Sequence, residues 1–298
     1  MNPLKIFFTL SILNLFPAHG SETWIIEPAG NYEINLNIPQ LGGLSSIKVY
    51  KPGKKFVTIS DKGIYFEGHF FRDSNGVIKD IEIVNSGSLL NSLGTNLSGR
   101  NVDSESITSI NDQGFYISFE SNHRIMFHET LSAAGSFLPK NKDFKRFQPN
   151  RGLEAIAAKS NGEIFAIPEE PPGSDSDFPI YKLTDGKWSI FARFPASGSF
   201  FVTDAVFLPD DDLLILERGY DWGVGFKMQL RILNFSNNTI TGQTKLLSLN
   251  SGLHNHEGLS LWQNDSKDFF ITSISDNNFL PFVNSEIKEF KLKRTHRK

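Results

Sequence analysis

Apolar and polar residues alternate along this chain in short runs, and the runs come in pairs. Phe56–Ile59, Gly114–Phe119, Glu163–Ile167, Asp212–Leu216 and Phe269–Ile274 are rich in β-branched and aromatic residues and are bounded by turn-formers, which predicts strands. A second short apolar run precedes each of them. Turn chemistry lies between the two runs at Asn111–Gly114, Ser160–Gly162 and Leu208–Asp212, so each pair is expected to be a hairpin. No window longer than about 12 residues holds a 3.6-residue period without Gly, Pro or Asn, so the chain is expected to be all-β.

The pairs form a repeat. The copies read GGLSSI…FVTISDKG (Gly42–Gly63), ESITSI…GFYISFES (Glu105–Ser121), GLEAIAA…EIFAIPEE (Gly152–Glu170), VTDAVFL…LLILERG (Val202–Gly219) and HEGLSLW…FFITSISDN (His256–Asn277). The first strand opens near an acid: Glu105, Glu154, Asp204 and Glu257, with Gly43 in that place in the first copy. The second ends in an acid: Asp61, Glu120, Glu169, Glu217 and Asp276. A strand repeat of roughly 50 residues predicts a closed array of small sheets. The expected fold is a β-propeller of five or six four-stranded blades. Its C-terminal strand, Glu286–Leu292, pairs with strands from Trp24–Ile38 to close the ring. A pair of β-sandwiches is the alternative.

The first twenty residues change the domain picture. Lys5, the apolar run Ile6–Phe16 and the small residues ending at Gly20 form a secretory signal pattern. Residues 1–20 are therefore expected to be a signal peptide and 21–298 a single propeller domain, periplasmic or secreted. The apolar run is too short to span a membrane and no other run reaches its length. With no cysteine, disulfides, thiolate catalysis and Cys-bound zinc are excluded. A net charge of −3 offers no basic field for nucleic acid. The 27 Phe residues supply a core that an exported chain without disulfides needs, and a monomer is expected.

In a propeller, matching positions of successive blades converge on the central channel, so the repeat acids are expected to face one another. Carboxylates a few ångströms apart repel, unless a cation, shared protons or basic partners hold them. Ca²⁺ suits such a set because it takes six to eight oxygen ligands in loose geometry. Asp61, Glu154, Glu169, Glu217, Glu257 and Asp276 are the expected metal ligands, against the alternative that each caps a turn or pairs with an Arg. Arg124, Arg151 and Arg218 lie beside repeat acids and are expected to grip an anionic group, with His123 beside them; salt bridges between blades are the alternative. His256 and Glu120 are the expected proton acceptors. No G-x-S-x-G elbow and no P-loop occurs.

On GGLSSI…FVTISDKG, DSESI…FYISFESNHRI, NRGLEAIA, FVTDAVFLPDDDLLILERGY and HEGLSLW…ITSISDNNF, spanning residues 42–279, the chain resembles the family called esterase-like activity of phytase. That resemblance implies a propeller with a channel-facing site and a hydrolase acting on phosphoric or carboxylic esters, hence a small anionic ester as partner. Two features depart from it. Gly43 interrupts the ring of acids, and Asp210–Asp212 and Asp175/Asp177 are the only clusters where phytase propellers proper carry dense acidic runs. A non-catalytic propeller that binds a ligand or protein, and a Ca²⁺-dependent lactonase, are the competing functional expectations.

Overall fold

The computed structural model describes residues 22–38 and 40–296, so the expected signal segment lies outside the described residues. Strand β1 (Glu22–Ile34) comes first and waits for the end of the chain. Four consecutive antiparallel sheets follow. They are β2–β5 (Leu44–Tyr50, Lys55–Ser60, Ile64–Arg72, Ile78–Ser88), β6–β9 (Ser104–Ile110, Gln113–Phe119, Arg124–His128, Ser136–Phe137), β10–β13 (Leu153–Ala158, Ile164–Pro168, Asp177–Thr184, Lys187–Pro195) and β14–β17 (Phe201–Phe207, Leu213–Asp221, Gly225–Ser236, Thr239–Gly252). The fifth sheet takes β18 (Asn255–Gln263), β19 (Phe269–Asp276) and β20 (Ser285–His296), and adds β1 at its outer edge. The fold is thus a five-bladed propeller of four-stranded blades, settling the choice between five and six.

Ring closure follows the expected logic with one simplification. A single N-terminal strand pairs with β20, from Glu22 opposite His296 to Ile34 opposite Ser285, with a bulge between Pro28 and Gly30. Five apolar clusters hold the wheel together, one in each gap between neighbouring blades. Phenylalanine supplies much of this packing. Phe56 stacks on Phe70 at 4.4 Å and Phe178 on Phe194 at 5.1 Å, all four buried. Each fully buried ring of this kind stabilises by about 1.5–3 kcal/mol relative to exposure.

The innermost strands β2, β6, β10, β14 and β18 stand side by side around the axis. Every one of them carries a bulge at the same height, where its pairing with the next strand slips by one residue. A bulge adds an unpaired residue and re-aims side chains. Repeated five times, it decides which residues face the hub.

Candidate functional site

The bulge residues are Ser45, Glu105, Glu154, Thr203 and Glu257. This register corrects the alignment expected from the repeat. The first-blade counterpart of Glu154 is Ser45, and Gly43 stands opposite Asp61 instead. Gly43 has φ +62°, and a Cβ there would lie 2.3 Å from Asp61 Oδ1 and 2.4 Å from the Phe279 ring, so close approach requires glycine.

Asp204 is shifted too, one residue deeper than Glu154 and Glu257. Its layer consists of Ser46, Ser106, Ala155, Asp204 and Gly258. Asp204 Oδ2 accepts from Ser46 Oγ at 2.9 Å and Leu259 N at 2.8 Å. Oδ1 accepts from Ser106 Oγ at 2.8 Å and Ala205 N at 2.9 Å. The two serine oxygens in turn accept from Ile107 N and Ile156 N, both at 3.2 Å. One buried carboxylate thereby ties all five blades together across the axis. Burial pushes it up to about 7, against the four bonds that favour its ionised form. Beyond this layer, the far end of the hub holds a cavity of about 150 Å³, lined in part by Ser109, Phe207 and Ser260.

On the near side of the Asp204 layer, the second strands add their own ring. Opposite Gly43, Asp103, Gly152, Phe201 and Asn255 sit Asp61, Glu120, Glu169, Arg218 and Asp276. The fourth member is Arg218, not Glu217, because Glu217 pairs with Val202 and Arg218 with Phe201, one residue further toward the mouth. Successive residues of a strand point to opposite faces, so a one-residue slip exchanges an acid for a base. Arg218 donates from Nη2 to Glu169 Oε1 at 2.6 Å, and from Nη1 to Glu257 Oε1 and to Asn255 Oδ1, the latter at 3.3 Å.

Around this guanidinium the carboxylates crowd. Asp103, Glu105 and Glu120 each offer one oxygen within 4.8 Å of the others, and so do Glu120, Glu154 and Glu169, with Glu120 common to both groups. Burial, followed by mutual repulsion, pushes Glu105 and Glu154 well above the usual carboxylate range. Burial is also the leading cause that lifts Glu120 and Glu257 to about 8 and Asp276 to about 6, and that raises Asp61 and Glu169. Glu120 accepts a main-chain bond from Gly152 N. Glu154 is 6% exposed and accepts no hydrogen bond among the described residues.

Of the residues singled out from the sequence, Asp61, Glu120, Glu154, Glu169, Glu257, Asp276 and Arg218 come together here. The rest do not. Glu217 is fully buried inside the fourth blade, where Arg231 grips both its oxygens and Gln229 donates to it at 2.8 Å. His256 turns into the fifth blade, with Nδ1 3.0 Å from Ser273 Oγ and Nε2 3.2 Å from Glu286 Oε2, and burial lowers its pKa. Arg151 is half exposed on the rim and pairs with Glu170. His123 lies against Gly152, where a Cβ would come within 1.9 Å of its ring, and packs edge-on to Phe147. Arg124 stacks 4.0 Å above Phe119 and bonds main-chain carbonyls. Asp103 joined the cluster without being marked by the repeat, since two other copies have glycine there. Its signal was local: D-S-E places Asp103 two residues before Glu105, at the entry to β6.

Loops on the same face carry exposed apolar residues. Trp222 (92% exposed) and Tyr220 follow Arg218 at the end of β15, while Phe279 and Phe282 (74%) follow Asp276. Phe279 covers Gly43 and lies 5.1 Å below Lys62 Nζ.

A family profile described as "Phytase-like: Esterase-like activity of phytase" matches residues 39–279. No curated protein matches the chain by sequence. Similar solved structures include a gluconolactonase from Xanthomonas campestris (8% identity, TM-score 0.46, covering 84% of this chain and 72% of that one). A luciferin-regenerating enzyme (11%, 0.44, 90% and 95%) and a glucose dehydrogenase (10%, 0.39, 84% and 81%) also match. At these identities and scores they say nothing of this chain's chemistry.

Proposed function

The chain belongs to the phytase-like family described by esterase-like activity of phytase, and from that premise we propose that the acidic mouth of its hub is a metal-assisted hydrolytic site for phosphoric or carboxylic esters. One observation carries the reading: Glu120, Glu154 and Glu169 bring ligand oxygens within 4.8 Å of one another beside Arg218. The donor set fits a hard cation. Both acidic groups offer oxygen alone, neither includes histidine, and Glu154 accepts no hydrogen bond among the described residues, with Arg218 acting on it only through its charge. Such a set suits Ca²⁺ better than a transition metal.

When bound, the cation would polarise the ester oxygen and activate water. The chain's own residues do the rest. Arg218, fixed between Glu169 and Glu257, keeps further N–H donors for the anionic oxygen of the substrate. Glu120, where it is ionised, is the proton acceptor, since it stands in both acidic groups and Gly152 N orients it. Asp61 and Asp276 hold the outer edge of the mouth. The ester is small, because the Asp204 layer closes the channel beneath it. The N-terminal pattern of Lys5, Ile6–Phe16 and Gly20 supports export.

Elemental analysis of purified protein, followed by a panel of phosphomonoesters, carboxylic esters and lactones with and without chelator, tests this reading. Turnover lost to chelator and restored by Ca²⁺ is expected. Full turnover in excess chelator would remove the cation from the scheme. The exposed Trp222 and Phe282 favour a second reading, a non-catalytic propeller that binds a partner on this face. It predicts no turnover on any member of the panel while the fold stays intact.

A further inference from the structure

Arg124 is 3% exposed and stacks on Phe119, yet among the described residues its guanidinium donates hydrogen bonds only to main-chain oxygens: Asn122 O at 3.2 Å and Asn101 O at 2.5 Å. A guanidinium has five N–H donors, so three have no protein acceptor. The charge is buried without a carboxylate within ion-pair distance, an arrangement that is ordinarily unfavourable. Burial lowers its pKa to about 10, with Asp103 a weaker opposing influence from beyond ion-pair distance.

The same side chain lines a cavity of about 260 Å³ on the second blade, between the turn that ends at Asn101 and the β7–β8 turn. Asn96, Ser98, Asn101 and Asn122 supply amides and a hydroxyl, Met126 and the half-exposed Phe137 supply an apolar wall, and no carboxylate lines it. Lys140 adds a second cation at the edge, with Nζ 3.4 Å from Asn122 Oδ1.

We propose that this cavity is a binding site for a small oxyanion-bearing molecule, a carboxylate or a phosphate, held by Arg124 and Lys140 and by the surrounding amides. The oxyanion takes the acceptor role that the protein leaves open to the Arg124 donors. A short apolar portion lies on Met126 and Phe137. The volume falls just under the roughly 300–1,000 Å³ of drug-sized sites, so the ligand has few heavy atoms. The site is separate from the hub: its walls reach within two residues of Asp103 and Glu120 but present opposite chemistry. It does not depend on the hydrolytic reading.

Titration calorimetry of the full protein at low ionic strength, with inorganic phosphate in one arm and acetate in the other, tests the proposal. One saturable site is expected. Asn96→Asp, an exposed position that places a negative charge in the cavity, weakens binding by about tenfold or more, and Lys140→Ala weakens it less. Arg124→Gln abolishes it, with melting followed in parallel. Binding in the phosphate arm alone assigns a phosphate ligand, and in the acetate arm alone a carboxylate. The hub variant Glu154→Gln binds like the native chain. No saturable site in either arm would overturn the proposal. So would native affinity in both Asn96→Asp and Lys140→Ala, or loss of binding in Glu154→Gln.

Discussion

Arg218 Nη2 lies 2.6 Å from Glu169 Oε1, joining the fourth blade to the third at the mouth of the hub. The same guanidinium reaches forward to Glu257 on the fifth blade. Burial works against its charge, but Glu257, Glu169 and Glu154 around it outweigh that and raise its affinity for a proton. Removing it leaves those acids facing one another, and breaking a buried pair this way costs about 3–5 kcal/mol. Arg218→Gln is expected to lower the melting temperature markedly without divalent cation and much less with Ca²⁺ present. Differential scanning calorimetry with and without Ca²⁺ checks this. An equal loss in both conditions would mean that no cation shares the neutralising role.

Asp204 is expected to be a stability residue with no part in ligand binding. Asp204→Ala leaves two serine hydroxyls and two main-chain N–H groups without their acceptor in a buried layer. Each such group costs about 1–3 kcal/mol, so the variant is expected to lose several kcal/mol in urea denaturation or to remain unfolded. Asp204→Asn keeps one acceptor oxygen and loses less. Native stability in the alanine variant would show that the five-blade tie is dispensable.

The two named acids at this level, Asp204 and Glu217, also show what the sequence makes legible. A propeller of five or six blades, their hairpins and the closure by both ends followed from strand pattern and repeat length. Which acid faces the hub did not, because that depends on a single residue of register. Matching first acids grouped Asp204 with Glu154. Matching the following apolar residues instead, Ile47, Ile107, Ile156, Ala205 and Leu259, aligns Ser45, Glu105, Glu154, Thr203 and Glu257 as the bulges place them. The L-E-R-G run in β15 hid the exchange of acid for base, since the pairing register with β14 decides whether Glu217 or Arg218 stands at the ring position. His256 was beyond reach for another reason. Its partner Glu286 lies thirty residues on, in the third strand of the same blade, beyond the hairpin that the repeat marks.

The raised carboxylates fix the sign of the pH dependence. In the folded protein Glu120 and Glu257 hold protons to about pH 8, Asp204 to about 7 and Asp276 to about 6, whereas unfolded carboxylates release theirs near pH 4. Between pH 4 and 8 the native state therefore binds more protons than the unfolded chain, and stability falls as pH rises. Glu286 has the opposite sign. Burial would raise it, but His256 and Lys288 hold it at about 2, so its contribution is complete above about pH 4.5 and lost only below. The melting temperature without divalent cation is expected to drop from pH 5 to pH 8. Ca²⁺ is expected to restore it at pH 8 and to release protons on binding, read by calorimetry in buffers of different ionisation enthalpy. A flat profile would remove the electrostatic load assigned to the hub.

Glu154 and Glu217 make the sharpest test, because one-residue differences in register separate their roles. Among the described residues Glu154 accepts no hydrogen bond, and burial and repulsion from Glu105, Glu169 and Glu120 outweigh the attraction of Arg218, so Glu154→Gln relieves more than it gives up. Without cation the variant is expected to melt at or above the native temperature and to show weakened Ca²⁺ binding and impaired ester turnover. Glu217 accepts from Arg231 and Gln229 inside its blade. Glu217→Gln breaks that buried pair at a cost of about 3–5 kcal/mol and is expected to leave Ca²⁺ affinity unchanged in the folded fraction. Calorimetric melting combined with Ca²⁺ titration on both variants checks the contrast. A Glu154→Gln protein that unfolds while Glu217→Gln loses the cation would reverse the two assignments, and the register drawn from the bulges with them.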